Sequence, residues 1–236
     1  MKKISVVVLV VVSLAFGGFA EAAKAKKRTR NANRVGAYGS VLVGMTRYTG
    51  DASQNEAQLL DVLATAEVPF QNLSASTKDT DLGYHAAFGF RFTRFFAAEL
   101  GLVQYGELAS TARGQLDFGN GFEDSSVKLA FNVGGPVLSA IGILPLSEKF
   151  EFYGRVGYLF ASSERQFSSR VSGVSGVAGS AKGDSQNVVY GVGASYNINQ
   201  VYSIRGEYQK ISNVGQASRT GTEDLDVLAL GLSVRF

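Results

Sequence analysis

With 236 residues, 45% of them hydrophobic and 18% charged, the chain is too apolar to remain disordered and long enough for one barrel-sized domain or two smaller ones. It has no cysteine, which excludes disulfides and thiolate chemistry. Its 28 glycines, 16 phenylalanines and 10 tyrosines point toward β-structure, and its formal charge of +3 hides an uneven distribution.

The chain opens with Met1, Lys2 and Lys3, then the apolar run "ISVVVLVVVSLAFGGFA", then the small-x-small site Ala20-Glu21-Ala22. That order predicts a secretory signal peptide over residues 1–22. An uncleaved membrane anchor is the competing reading, favoured by the basic residues that follow. The short, glycine-interrupted apolar stretch and the well-placed cleavage site favour removal. Residues 23–34 are read as a basic, solvated periplasmic tail carrying Lys24, Lys26, Lys27, Arg28, Arg30 and Arg34. With leader and tail set aside, 15 basic residues face 19 acidic ones, a net of about −4. In an exported protein no nucleic-acid partner is expected for the basic tail.

Eight strands are predicted from hydrophobic alternation after residue 34. They cover 35–48, 82–92, 95–108, 135–146 (with "VKLAFNV" as an upstream extension), 150–162, 187–197, 201–211 and 226–236. The second and third, fourth and fifth, and sixth and seventh are separated by two or three residues; long polar stretches separate the rest. If neighbours are antiparallel, all short turns lie at one end and all long loops at the other, as in a transmembrane barrel of the bacterial outer membrane. The strands also reach the roughly 9–11 residues that cross a bilayer when tilted. The expected fold is therefore all-β: an eight-stranded antiparallel up-and-down transmembrane β-barrel over residues 35–236, with short periplasmic turns and long extracellular loops.

Charge fixes the facing of three strands. Ser203, Arg205, Glu207 and Gln209 oppose Tyr202, Ile204 and Tyr208; Glu151, Tyr153, Arg155 and Gly157 oppose Phe150, Phe152, Val156, Tyr158 and Phe160. His85 and Arg91 share a glycine-containing side of the second strand, opposite Leu82, Tyr84, Phe88, Phe90 and Phe92. Glycines on the charged side suit a narrow interior, and aromatics near strand ends suit lipid-facing girdles. A soluble barrel would need polar residues outside, which the last four strands lack. The first and fourth strands are apolar on both sides, so their register stays open.

The stretches "VVYGVGASYNINQVYSIRGEYQKI" with "LDVLALGLSVRF", "LSAIGILPLSEKFEFYGRVGY" and "FGFRFTRFFAAELGLVQYGEL" resemble the small OmpA-like outer-membrane β-barrels, in order and over almost all of the chain from residue 35. The chain lacks tryptophan and shows no periplasmic domain after the eighth strand, so the resemblance implies no cell-wall anchoring by that route. It implies a core salt bridge between Glu99 and Arg205 able to gate ion leakage. It also implies an assembly signal in the last strand, at Leu228, Leu230, Leu232, Val234 and Phe236, read by the barrel-assembly machinery.

Eight strands enclose only enough space for side chains to fill, so no wide pore is expected. Buried charges need partners there, and Glu99, Arg155, Arg205 and Glu207 form the natural set, with Arg91 and Glu151 as additions. Simple neutralisation explains them as well as gating does. His85 is the only histidine and has no serine or aspartate beside it, which disfavours hydrolytic catalysis. No cofactor or metal site is expected. Residues 49–81 contain "NEAQLLDVLATAE", either a short amphipathic helix with Leu59, Leu60, Leu63 and Ala66 on one face or an irregular loop. The Ser/Gly-rich loop at 163–186 reads as flexible. These two loops are the candidate contacts for a surface ligand, and outer-membrane lipid and lipopolysaccharide are the expected surroundings. The expectation is a non-enzymatic barrel serving envelope integrity or surface interactions. A narrow gated channel is the alternative and a lipid A-modifying barrel a minor one.

Overall fold

A computed structural model describes residues 35–49, 70–117, 121–171 and 174–236. The leader, the basic tail and the candidate helix around Leu59–Ala66 lie outside the described residues. The strands are β1 (Gly36–Tyr48), β2 (Phe70–Lys78), β3 (Thr80–Arg91), β4 (Phe96–Asp117), β5 (Phe122–Pro145), β6 (Phe150–Val171), β7 (Val174–Asn197), β8 (Tyr202–Val214) and β9 (Glu223–Arg235). All pairings are antiparallel. The wall runs β1-β3-β4-β5-β6-β7-β8-β9 and closes where β9 meets β1, from Tyr38 opposite Arg235 to Tyr48 opposite Leu225. Closure removes every edge within the membrane, the condition for a sheet to survive where no water can satisfy its backbone. β2 extends the line of β3 beyond Asp79 and pairs with the upper part of β4.

Short turns gather at one end, and side chains tie two of them. Ser147 Oγ accepts from the amides of Lys149 and Phe150, and Asn199 Oδ1 accepts from those of Val201 and Tyr202. At the other end β4, β5, β6 and β7 run 22–24 residues, against 13 for β1, β8 and β9. A bilayer needs only about 9–11 residues per tilted strand, so roughly half of each long strand stands outside it.

This corrects the expectation of a flexible loop at 163–186. Those residues continue β6 as far as Val171 and β7 from Val174 on, with Ser163 opposite Gly183, Arg165 opposite Ala181 and Phe167 opposite Gly179. Serine and glycine hide the strand because they give no hydrophobic period. The backbone ladder, inherited in register from the barrel below, holds it. The expected loop at 49–81 likewise contains β2 and the start of β3.

Outward positions are apolar around the ring: Leu228 and Leu230 are about two-thirds exposed, with Phe88, Leu100, Leu138, Val156 and Tyr190 also outward. In water such a surface would aggregate; in a bilayer it is the solvated face. The open register of β1 and β5 is settled: Tyr38, Ser40, Leu42 and Thr46 point inward, as do Val137, Ser139 and Ile141.

Candidate functional site

The barrel interior divides into layers. In the first, four charged side chains from opposite walls close a ring. Glu99 of β4 contacts Arg155 of β6 at 2.6 Å through Oε2 and Arg205 of β8 at 2.6 Å through Oε1. Arg155 Nε donates to Glu207 Oε1, and Arg205 lies 3.5 Å from Glu207 Oε2. The ring is neutral, and every member is buried. Neutral partners saturate it: Tyr38 donates to Glu99 at 2.7 Å, Tyr153 to Glu207 at 2.9 Å, Gln209 to Glu207 at 3.0 Å, and Arg155 to Ser139 at 3.0 Å. The Arg205 guanidinium also lies 4.7 Å from the centre of the Tyr153 ring. Removing one member of such a set leaves a buried charge unpaired, at a cost of about 3–5 kcal/mol.

Glycines opposite the tyrosines make the layer possible. A Cβ on Gly89 would sit 2.3 Å from the Tyr38 ring, and one on Gly193 2.4 Å from Tyr153. Below the ring, toward the short turns, Arg91 meets Glu151 at 3.1 Å, with Arg235 4.0 Å from the same carboxylate and bonded to Asn197. All six charged residues singled out from the sequence therefore point inward, in a ring of four and a neighbouring pair.

Tyr38, Ser139, Arg235 and Asn197 were not singled out as members. Arg235 and Tyr153 carried a signal, since each shares strand parity with inward polar residues. Tyr38 and Ser139 carried none, because β1 and β5 are apolar on both sides.

The second layer is mainly apolar, with His85 and Asn187 as buried polar members, and lies on the side of the long strands. On each strand rising from the ring, the inward residue four positions on is hydrophobic: Val103 after Glu99, Leu159 after Arg155, Ile211 after Glu207. Leu42, Val137 and Val189 fill between them, and Tyr48 meets Phe131 edge-on at 6.1 Å. His85 is buried within this layer over Gly101, in register with Leu42 on β1 and Val103 on β4, and neither ring nitrogen has a hydrogen-bond partner among the described residues. Among those residues no cluster of His, Asp or Glu is arranged to hold a metal ion.

The candidate assembly residues lie along β9. Leu228, Leu230, Leu232 and Phe236 are exposed on the outer face, and the Phe236 amide donates to Ala37 O at 3.1 Å beside the closing seam.

An antiparallel barrel with an apolar outer belt and a packed, ion-paired interior is an integral protein of the bacterial outer membrane. The chain belongs to the OmpA-like transmembrane domain family, whose model matches residues 35–236. It is 28% identical over 170 residues to outer membrane protein A of Klebsiella pneumoniae, an alignment covering 71% of this chain and 44% of that protein. Against outer membrane protein A of Yersinia pseudotuberculosis the figures are 27% over 166 residues, 70% and 43%. The aligned part thus spans less than half the length of these relatives. Among solved structures, the attachment invasion locus protein of Yersinia pestis is similar at 16% identity, covering 85% of this chain and 99% of that one, with a TM-score of 0.36.

Proposed function

We propose that the chain is a non-enzymatic, ion-tight barrel that supports the outer membrane and presents its long strands as a contact surface outside the cell. The apolar layer carries this reading. A hydrated ion passing the charged ring meets Leu42, Val103, Val137, Leu159 and Val189, and a hydrophobic constriction excludes it by staying dry. Opening the ring would therefore not open a path. Planar bilayer recordings test it: wild type and Arg205→Ala are both expected to be silent, and unitary current steps in either would overturn the reading in favour of a gated channel.

The raised sheet β2-β4-β5-β6-β7 supports the surface role, because it carries most of the strand length found outside the bilayer. Its partner would contact the hairpins rather than the barrel. Lipopolysaccharide surrounds the outer-leaflet half of the belt. The outward row Leu228 to Phe236 of β9 is the proposed contact for the barrel-assembly machinery, and deleting Phe236 is expected to lower insertion in cells. Without a polar partner His85 has no general-base geometry, so His85→Ala should leave the lipid A of the host unchanged.

A further inference from the structure

The outer belt is uneven. Most of its positions carry large side chains, but where β8 and β7 run side by side the outward residues are Gly206 and Ala194, directly opposite each other. They floor a groove of about 950 Å³, with Met45, Leu228, Leu230, Val192 and Tyr208 along its margins. The floor lies at mid-belt, Gly206 being four residues above the start of β8 at Tyr202 and four below Lys210, and the Met45, Tyr208 and Leu228 margin rises from it toward the long strands and the outer leaflet.

One pleat above its upper margin, the outward residues change character. Two positions beyond Met45, Tyr208 and Leu228, on the same faces, come Arg47, Lys210 and Asp226. Asp226 is in register with Arg47 on one side and with Lys210 on the other. Two cations thus stand about 10 Å apart, two strand spacings, at the level of the headgroups. Asp226 between them accepts from the Tyr208 hydroxyl at 2.8 Å, and Asp79 lies 3.8 Å from Arg47. Lys210 is exposed and has no ion-pair partner among the described residues.

From this juxtaposition we infer that the β1–β9–β8–β7 face is a docking site for a lipopolysaccharide molecule, its acyl chains in the Gly206–Ala194 groove and its phosphates on Lys210 and Arg47. The inference rests on the proposed lipopolysaccharide contact and assigns it a place. An apolar groove inside the bilayer selects saturated chain, and Lys210 above it, exposed and unpaired among the described residues, joins Arg47 across Asp226 in offering cations to a phosphorylated headgroup. Lipopolysaccharide is the outer-leaflet lipid that joins the two.

The test uses the full chain folded into phosphatidylcholine vesicles, incubated with rough lipopolysaccharide, dissolved in mild detergent and washed; lipid retained per folded protein is then measured. A heat-shifted band on unboiled gels confirms folding for each variant. Gly206→Leu is sterically free, since a Cβ there meets only Leu230 at 3.9 Å, and it fills the floor. It is expected to reduce retention by at least about tenfold, the loss of a few buried methylenes. Ala194→Leu fills the same floor and serves if the first variant does not fold. Lys210→Ala should reduce retention about fivefold, as for one lysine at an anionic surface. Enzymatic removal of phosphate from the lipid should cost wild type at least as much as Lys210→Ala does, and should add nothing in a Lys210→Ala/Arg47→Ala double variant.

Full retention by both groove-filling variants would overturn the site while leaving the general contact standing. Equal retention of phosphatidylglycerol would overturn the choice of lipid. No retention of lipopolysaccharide by wild type would overturn the contact itself.

Discussion

The two halves of the molecule use the same secondary structure and are held by different forces. In the membrane half each strand has a chemical sidedness: hydrocarbon outside, and inside either a saturated ion-pair ring or a packed apolar layer. At the tip of the raised half, residues 176–180 of β7 are all exposed, and among the described residues there the backbone ladder and local bonds such as Ser169 Oγ to Val177 hold the strands together. The membrane half is thus a cooperative unit in which a local loss is felt across the barrel. The raised half is a set of hairpins whose stability is local.

That contrast can be broken or sharpened by experiment. The largest effect is expected from Arg155→Met, which deprives both Glu99 and Glu207 of a guanidinium. Destabilisation of about 3–5 kcal/mol should appear as a lower urea midpoint for the vesicle-inserted protein. Adding Glu207→Gln should recover part of it, because Glu99 keeps Arg205.

A middle effect is expected from Gly193→Val, whose Cβ would strike the Tyr153 ring and push its hydroxyl off Glu207. Overpacking of this kind costs about 1–3 kcal/mol. Excising Gln166–Ser180, the upper part of the β6–β7 hairpin, should leave the barrel midpoint where it was. A drop comparable to that of Arg155→Met would show that the halves are one cooperative unit.

The smallest effect concerns pH at the rim. Burial holds the Glu223 carboxyl above its ordinary range, although Arg165 lies 3.7 Å away and pulls it down. A carboxyl with a raised folded pKa binds its proton more tightly in the folded state. Its unfavourable contribution therefore grows as pH rises through the ordinary carboxylate range and is complete above the folded value. Glu223→Gln should slightly raise the midpoint at neutral pH and lose that advantage in acid, where the two proteins converge. The opposite order at neutral pH would show that the Arg165 pair dominates.

How much of this could be read from the chain depended on polarity contrast. β6 and β8 alternate charge with aromatic residues, so Arg155, Glu207 and Arg205 could be set inside from sequence alone. β1 and β5 have dry surroundings on both sides, which erased the contrast and concealed Tyr38 and Ser139. The apolar layer above the ring was hidden for the same reason: Leu42 inside and Val43 outside are chemically alike. The raised ladder escaped notice because Ser, Gly and Ala carry no period, and its pairing follows from strands far below.

At the rim β4 takes an extra residue between Gln104 and Glu107. Gly106 adopts φ 79°, and Asp81 Oδ2 accepts from the Glu107 amide at 2.9 Å. The inward residues shift from odd numbers (Glu99, Val103, Tyr105) to even ones (Leu108, Ser110, Ala112) across it, and β8 slips similarly between Ile211 and Val214. These bulges act as a coupling that lets one register end and another begin. Hairpins of other lengths and sequences could be grafted above such a collar without re-facing a single residue of the membrane wall. The exterior of the protein is in this sense an exchangeable fitting, free to diverge under selection while its mount stays fixed.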